Sequence, residues 1–262
     1  MRTILIILSF CSINFVNCNS INSKNDANAL SLHNQNDSII KYSQDYLLGK
    51  FIPEKDADFI EISIKYGSKE GMYLRKETYN AFIQMHDSAA LDGVNLKIIS
   101  STRNFDKQKT IWEAKWNGER IVDGMNLAKE VKDLVKRASI ILKFSSMPGT
   151  SRHHWGTDID INSLEDSYFL SGQGKKEYEW LTKNAARFGF YQPYTPKGKE
   201  RPTGYEEEKW HWTYKPISKD LTLQYAKLIT IESIKGFSGA ETAESIDIIN
   251  KYVLGIHPDC LK

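Results

Sequence analysis

Ser151-Arg152-His153-His154-Trp155-Gly156-Thr157-Asp158-Ile159-Asp160 decides how this chain is read, together with Glu208-Lys209-Trp210-His211 further on. His153, Asp160 and His211 are the ligand types used by a catalytic zinc that keeps one coordination position open. Glu208, three residues before the last of them, is placed to activate a bound water. Parity supports a shared face. If Thr157 to Ile161 is extended, Asp158 and Asp160 lie on one face and Thr157, Ile159 and Ile161 on the other, apolar one. If Trp210 to Tyr214 is a strand, Trp210, Trp212 and Tyr214 face the core and His211 the opposite side. One strand then offers a carboxylate and the other an imidazole, while a turn at Gly156 folds His153 back over the strand start. Three of the six histidines, His153, His154 and His211, fall in these stretches. On the residues alone, His154 competes with His153 and Asp158 with Asp160. A structural metal site closed by His154 or Asp158 as a fourth ligand is a further alternative.

Outward from the motifs, the chain alternates helical stripes with short apolar runs. Tyr73 to Leu91 reads as a helix ended by Asp92-Gly93, and Asn95 to Ser100 as a strand. Ser101 to Gln108 leaves that strand and enters a helix through Trp116, so Arg103 stands just past a strand end, where rigid scaffolds present functional groups. A surface arginine in a capping turn is the plain alternative. Leu127 to Phe144 reads as one amphipathic helix, broken by Ser145 to Thr150 on the way into the first motif. Gly174 to Phe188 is a helix with Tyr178, Trp180, Leu181 and Ala185 inward and Gly189 as its stop. Pro193 to Glu207, with three prolines and two glycines, is a loop long enough to form the mobile rim of a cleft. Helices are expected over Leu221 to Ser233 and Glu241 to Val253. Without regular βαβ alternation, the fold class is α+β, an antiparallel sheet carrying the zinc site and flanked by helices.

The 262 residues suffice for one domain with its own core, and 40% hydrophobic and 26% charged residues are ordinary for a soluble globular protein. With 35 basic and 33 acidic residues interspersed, no basic stripe argues for nucleic acid. Met1-Arg2-Thr3 followed by the apolar run Ile4 to Val16 has the outline of a secretory signal, and Ser9, Ser12 and Asn14 interrupt it too often for a membrane span. Residues 1–18 are therefore expected to be a signal peptide, 19–38 a polar linker and 39–262 the domain. Only Cys260 lies in the body, so no internal disulfide framework forms. Cys18 resembles the cysteine of a bacterial lipoprotein signal, although Asn17 stands where a small residue is usual. A lipid on Cys18 is the one membrane contact expected.

Ser151-x-His153-x-x-Gly156-x-x-x-Asp160 followed by Glu208-x-Trp210-His211 resembles the signature of the VanY-type D-alanyl-D-alanine carboxypeptidases. These belong to the zinc peptidase superfamily with lysostaphin-like endopeptidases, D-Ala-D-Ala dipeptidases and the Hedgehog domain. The resemblance covers Tyr73 to Tyr214. It implies the Hedgehog/DD-peptidase-like fold, Zn²⁺ held by His153, Asp160 and His211, and Glu208 as general base and then acid. It also raises Arg103 as a catalytic cation, followed by Gln108, and suggests Ser151 and Gln108 as substrate-binding residues. Spacing against this pattern favours His153 over His154 and Asp160 over Asp158, where the family usually has a small residue. The implied substrate is a peptidoglycan stem peptide, and the implied protein is an exported monomer of a bacterial periplasm or cell envelope. A D,D-dipeptidase, a peptidoglycan endopeptidase and a non-catalytic zinc-containing wall-binding module are the alternatives.

Overall fold

A computed structural model describes residues 41–262. The signal peptide and linker expected over residues 1–38 lie outside the described residues. Among the described residues, no helix is long and apolar enough to cross a membrane. The chain enters through a short helix, α1 (Gln44–Leu47), capped by the Ser43 hydroxyl, which accepts from the Tyr46 N–H. Next comes an antiparallel ribbon of β1 (Phe59–Glu61) and β2 (Tyr73–Arg75), with Ile60 opposite Leu74. The helix expected from Tyr73 therefore starts later: Tyr73 to Arg75 pair with β1, and α2 runs Lys76–Leu91.

The main sheet has four antiparallel strands, β3 (Ile98–Ser100), β4 (Asp158–Ile161), β5 (Phe190–Tyr191) and β6 (His211–Tyr214), in the order β3-β4-β6-β5. Its register places Asp160 opposite His211 and Asp158 opposite Thr213, and Ser100 lies across from Asp160 on the other side. One face carries Ile98, Ile159, Ile161, Phe190 and Trp212, which pack with Phe82, Met85 and Ala89 of α2 and with Trp180 and Leu181 of α6 (Gly172–Asn184). Ile159 and Ile161 are fully buried, each contributing about 1.5–3 kcal/mol of hydrophobic stabilisation. The alternation expected from parity is thus present, and the sheet's opposite face is left to Asp158, Asp160, His211 and Thr213. Trp210 departs from it. It precedes β6, packs against Phe144 with ring centroids 6.1 Å apart, and belongs to the cavity wall instead of that core.

A second core gathers Trp112 and Trp116 of α3 (Phe105–Trp116), Leu127 of α4 (Leu127–Glu130), Ala138 and Ile141 of α5 (Leu134–Ile141), and Leu221 and Tyr225 of α7 (Lys215–Leu228). The helix expected from Leu127 to Phe144 is two helices. Asp133 accepts from the Lys136 N–H and starts a new N-terminus, while Val131 is extended with φ −118°. The last expected helix is broken as well, into α8 (Ala243–Ile246) and a π-turn at Ile249–Val253, because Asp247 takes a left-handed φ of 56° between them. The helix expected from Leu221 starts earlier, with Pro216 in its first turn, where no N–H is needed.

Candidate metal centre

The first motif forms a single turn of 3-10 helix, Arg152–Trp155, ended by Gly156 in the left-handed region at φ 70°. A Cβ at Gly156 would meet the Phe59 ring at 2.4 Å, so backbone conformation and packing both demand glycine. This turn brings His153 back over β4, where its Nε2 lies 3.3 Å from Asp160 Oδ1. His211 opens β6 beside Asp160, with its Nδ1 also 3.3 Å from Asp160 Oδ1. The ligand atoms of His153, Asp160 and His211 all lie within 4.8 Å of one another, and all three residues are buried. Among the described residues, His153 Nε2 and Asp160 Oδ1 have no hydrogen-bond partner. Two buried acceptor atoms without donors, aimed at one point beside a second imidazole, carry a desolvation cost that a bound cation would repay. The donor set of two imidazoles and one carboxylate suits zinc with an open fourth position.

The supporting shell is specific. His153 Nδ1 is 2.9 Å from the Ser101 carbonyl, which fixes the proton on Nδ1 and turns Nε2 inward. The loop leaving β3 is itself docked on the motif, because the Arg103 N–H donates to the His153 carbonyl. His154 points elsewhere: its Nε2 accepts from the Gly149 N–H at 3.0 Å, and its Nδ1 therefore donates to the Arg103 carbonyl. Both ring nitrogens are occupied, and burial pushes its pKa down to about 3, so His154 is a neutral structural strut. Asp158 is also engaged away from the centre, accepting from Arg152 Nε at 3.0 Å, Thr213 Oγ1 at 2.7 Å and Thr157 Oγ1 at 2.8 Å. His154 and Asp158 are thus taken up by other partners, Asp158 by His211 Nε2 among them, whereas the candidate ligand atoms of His153, Asp160 and His211 lie together.

Glu208 reaches the same centre through the turn in which the His211 N–H donates to the Glu208 carbonyl. Its Oε2 stands 3.1 Å from His211 Nδ1, and burial raises its pKa against the pull of His211. Burial also works to raise Asp160, but the charges of His153, His211 and Arg103 outweigh it and hold the carboxylate well below the usual range. For His211, burial lowers the pKa, yet hydrogen bonds to Asp158 and Glu208 prevail and lift it to about 9. His153 is pushed down, by burial first and then by the Arg103 charge. Arg103 Nη1 donates to Ser100 Oγ at 3.0 Å and lies 3.9 Å from Asp160 Oδ2, while its Nε is buried without a partner.

These groups line a cavity of about 540 Å³. Ser151 lines it with its hydroxyl unpartnered. Gln108 stands one layer behind: it is buried, donates to the Ser146 carbonyl at 2.8 Å, and meets the cavity only through Ser146. The sequence reading missed Lys115 and Arg120, two further cations in the wall. Lys115 donates to Ser145 Oγ and, among the described residues, has no carboxylate within ion-pair distance. Burial, then the charges of Arg120 and Arg103, lowers its pKa to about 8. In sequence Lys115 is one charged position of an amphipathic helix, with nothing local to mark it. Tyr194 and Tyr205, from the loop expected to rim a cleft, also line the cavity. Arg201 ties that loop together from within, donating to the carbonyls of Thr195, Thr203 and Tyr205.

Residues 71–217, more than half of the chain, match the VanY family of D-alanyl-D-alanine carboxypeptidases. YodJ of Bacillus subtilis, which carries a carboxypeptidase name, is 33% identical over 161 residues, covering 58% of this chain and 52% of YodJ. The D-alanyl-D-alanine carboxypeptidase of Enterococcus faecalis is 32% identical over 130 residues, covering 50% of this chain and 44% of that protein. The chain thus spans about half the length of these two relatives. Among solved structures, VanYB in complex with D-alanine-D-alanine is similar at a TM-score of 0.48 and 26% identity, covering 70% of this chain and 90% of that one. With its motif residues gathered inside the matched region, the chain belongs to the VanY D-alanyl-D-alanine carboxypeptidase family.

Proposed function

We propose that this chain is a zinc-dependent peptidase that removes a C-terminal D-alanine from peptidoglycan stem peptides. The observation that carries the proposal is the convergence of His153 Nε2, Asp160 Oδ1 and His211 Nδ1 on one buried point, with the Glu208 carboxylate beside it. Zinc, when bound, supplies a Lewis acid for the scissile carbonyl and a water of lowered pKa. Glu208 accepts the proton of the attacking water and returns it to the leaving amine, a role suited to a carboxyl whose burial raises its pKa. The Arg103 guanidinium, with an unpartnered Nε, stabilises the negative charge that develops on the carbonyl oxygen.

Exopeptidase action on a free chain end is favoured by a group of cations in a wall that also carries Asp123, Glu165 and Asp166. Lys115 and Arg120 line the cavity together with Arg103, and among the described residues Lys115 has only the Ser145 hydroxyl as partner, so a terminal carboxylate completes it. A peptidoglycan substrate also calls for export, in keeping with the leader read from residues 1–18. The test is incubation of a peptidoglycan pentapeptide with the zinc-loaded protein, followed by mass spectrometry, with Glu208→Ala alongside. Loss of one alanine by the parent and not by the variant is the expected result. Cleavage only within cross-linked muropeptides would replace the carboxypeptidase with an endopeptidase, and no cleavage of either would leave a binding module.

A further inference from the structure

We infer that Asp158, held in place by Arg152, is a positioning residue for the metal centre: it clamps the far nitrogen of His211 so that Nδ1 is the atom offered to the metal. The inference rests on the zinc reading above. His211 Nε2 lies 2.9 Å from Asp158 Oδ2, on the side of the ring away from His153 and Asp160. A carboxylate paired with arginine only accepts hydrogen bonds, so in the neutral imidazole that a metal requires the proton sits on Nε2 and the lone pair is left on Nδ1. Nδ1 faces the candidate centre, 3.3 Å from Asp160 Oδ1 and 3.1 Å from Glu208 Oε2.

The clamp is built with no free valence. Asp158 is 0% exposed, and Oδ1 receives Thr157 Oγ1 at 2.8 Å and Thr213 Oγ1 at 2.7 Å, while Oδ2 is shared by Arg152 Nε at 3.0 Å and His211. Arg152, 1% exposed, spends its other nitrogens on Thr222 Oγ1 at 2.8 Å and Thr213 Oγ1 at 2.9 Å, and its guanidinium lies 4.9 Å from the Trp155 ring centre. Thr222 belongs to α7, Thr213 and His211 to β6, and Arg152 to the turn that carries His153. One buried ion pair therefore ties both halves of the divided ligand set to the helix behind them. Without Arg152, Asp158 would be a second bare carboxylate on the metal face. With it, the two charges cancel locally and Asp158 stays out of the coordination sphere.

The test is zinc affinity, measured by competition with a chromogenic chelator, for the parent and for Arg152→Met/Asp158→Ala. This double change removes both charges, so neither is left buried alone. Loss of such an outer partner weakens metal binding by roughly 10–100-fold, and that is the expected drop, with the folded state verified by circular dichroism. A folded double variant that binds zinc as tightly as the parent overturns the clamp while leaving the metal centre standing. A parent that binds no zinc overturns both. If the double variant does not fold, long-range proton–nitrogen spectra of the zinc-loaded parent decide: a proton on His211 Nε2 with the metal at Nδ1 supports the clamp, and metal at Nε2 refutes it.

Discussion

Replacing His154 separates the two adjacent histidines of the motif. His154→Ala removes two buried hydrogen bonds, one from the Gly149 N–H and one to the Arg103 carbonyl. Each contributes roughly 1 kcal/mol, and the Gly149 N–H left unsatisfied adds about 1–3 kcal/mol. The vacated ring space adds a cavity term, because His154 is 0% exposed and packs against Gly49. The hydrogen-bond terms alone come to on the order of 3–5 kcal/mol of lost stability, and the cavity raises the loss further. Urea unfolding of the metal-free parent and variant measures it. The parent's share is pH-dependent: with its folded pKa lowered to about 3, His154 contributes fully above its ordinary pKa of about 6.5 and loses that contribution as pH falls toward 3. Zinc affinity of the folded variant should stay near that of the parent. A variant of undiminished stability that binds zinc tenfold more weakly would refute the reasoning and make His154 a ligand.

Arg103→Ala should bind zinc normally and lose about 10²–10³ in turnover, ~3–4 kcal/mol of transition-state stabilisation; full activity would remove Arg103 from the mechanism. Lys115→Met should cost roughly 2–5 kcal/mol of kcat/KM on a peptide with a free terminal carboxylate and much less on its C-terminal amide. Equal losses on the two peptides would place the carboxylate elsewhere. In the parent, KM for the free acid should rise as pH passes about 8, where Lys115 loses its proton. His211, with its pKa raised to about 9, stabilises the metal-free fold below about pH 6.5, and that contribution is lost as pH rises through 9. A metal-free melting temperature that is flat from pH 6.5 to 9 would contradict this.

The candidate ligand set of His153, Asp160 and His211 was legible in part from short-range rules, with the spacing of the resembled family choosing His153 over His154 and Asp160 over Asp158. Alternation puts Asp160 and His211 on the face opposite Ile159 and Trp212, and Gly156 can hold a left-handed turn that returns His153 to them. Local pattern also located α3 and the loop ahead of Glu208. It failed where tertiary context decides. Trp210 continues the alternation of β6 yet lies outside the strand, claimed by Phe144 across the cavity. The stripe from Leu127 to Phe144 is continuous in period, but Asp133 caps a fresh helix within it. Arg152 and Asp158 are six residues apart in the motif, and nothing in their spacing announces an ion pair, which depends on Thr213 and Thr222 arriving from far along the chain. Lys115 was invisible for the same reason: its neighbours in the wall come from other segments.

The loop between β5 and Glu208 carries its own brace, since every carbonyl that Arg201 engages lies within residues 195–205. The candidate ligands lie on β4, β6 and the turn before β4, whereas Tyr194 and Tyr205 come from this loop, which also docks on the rest of the domain through the Glu206 N–H to the Lys143 carbonyl and the His257 N–H to the Pro193 carbonyl. A changed loop would therefore reshape one part of the cavity wall, while the register of β4 and β6 still sets Asp160 opposite His211.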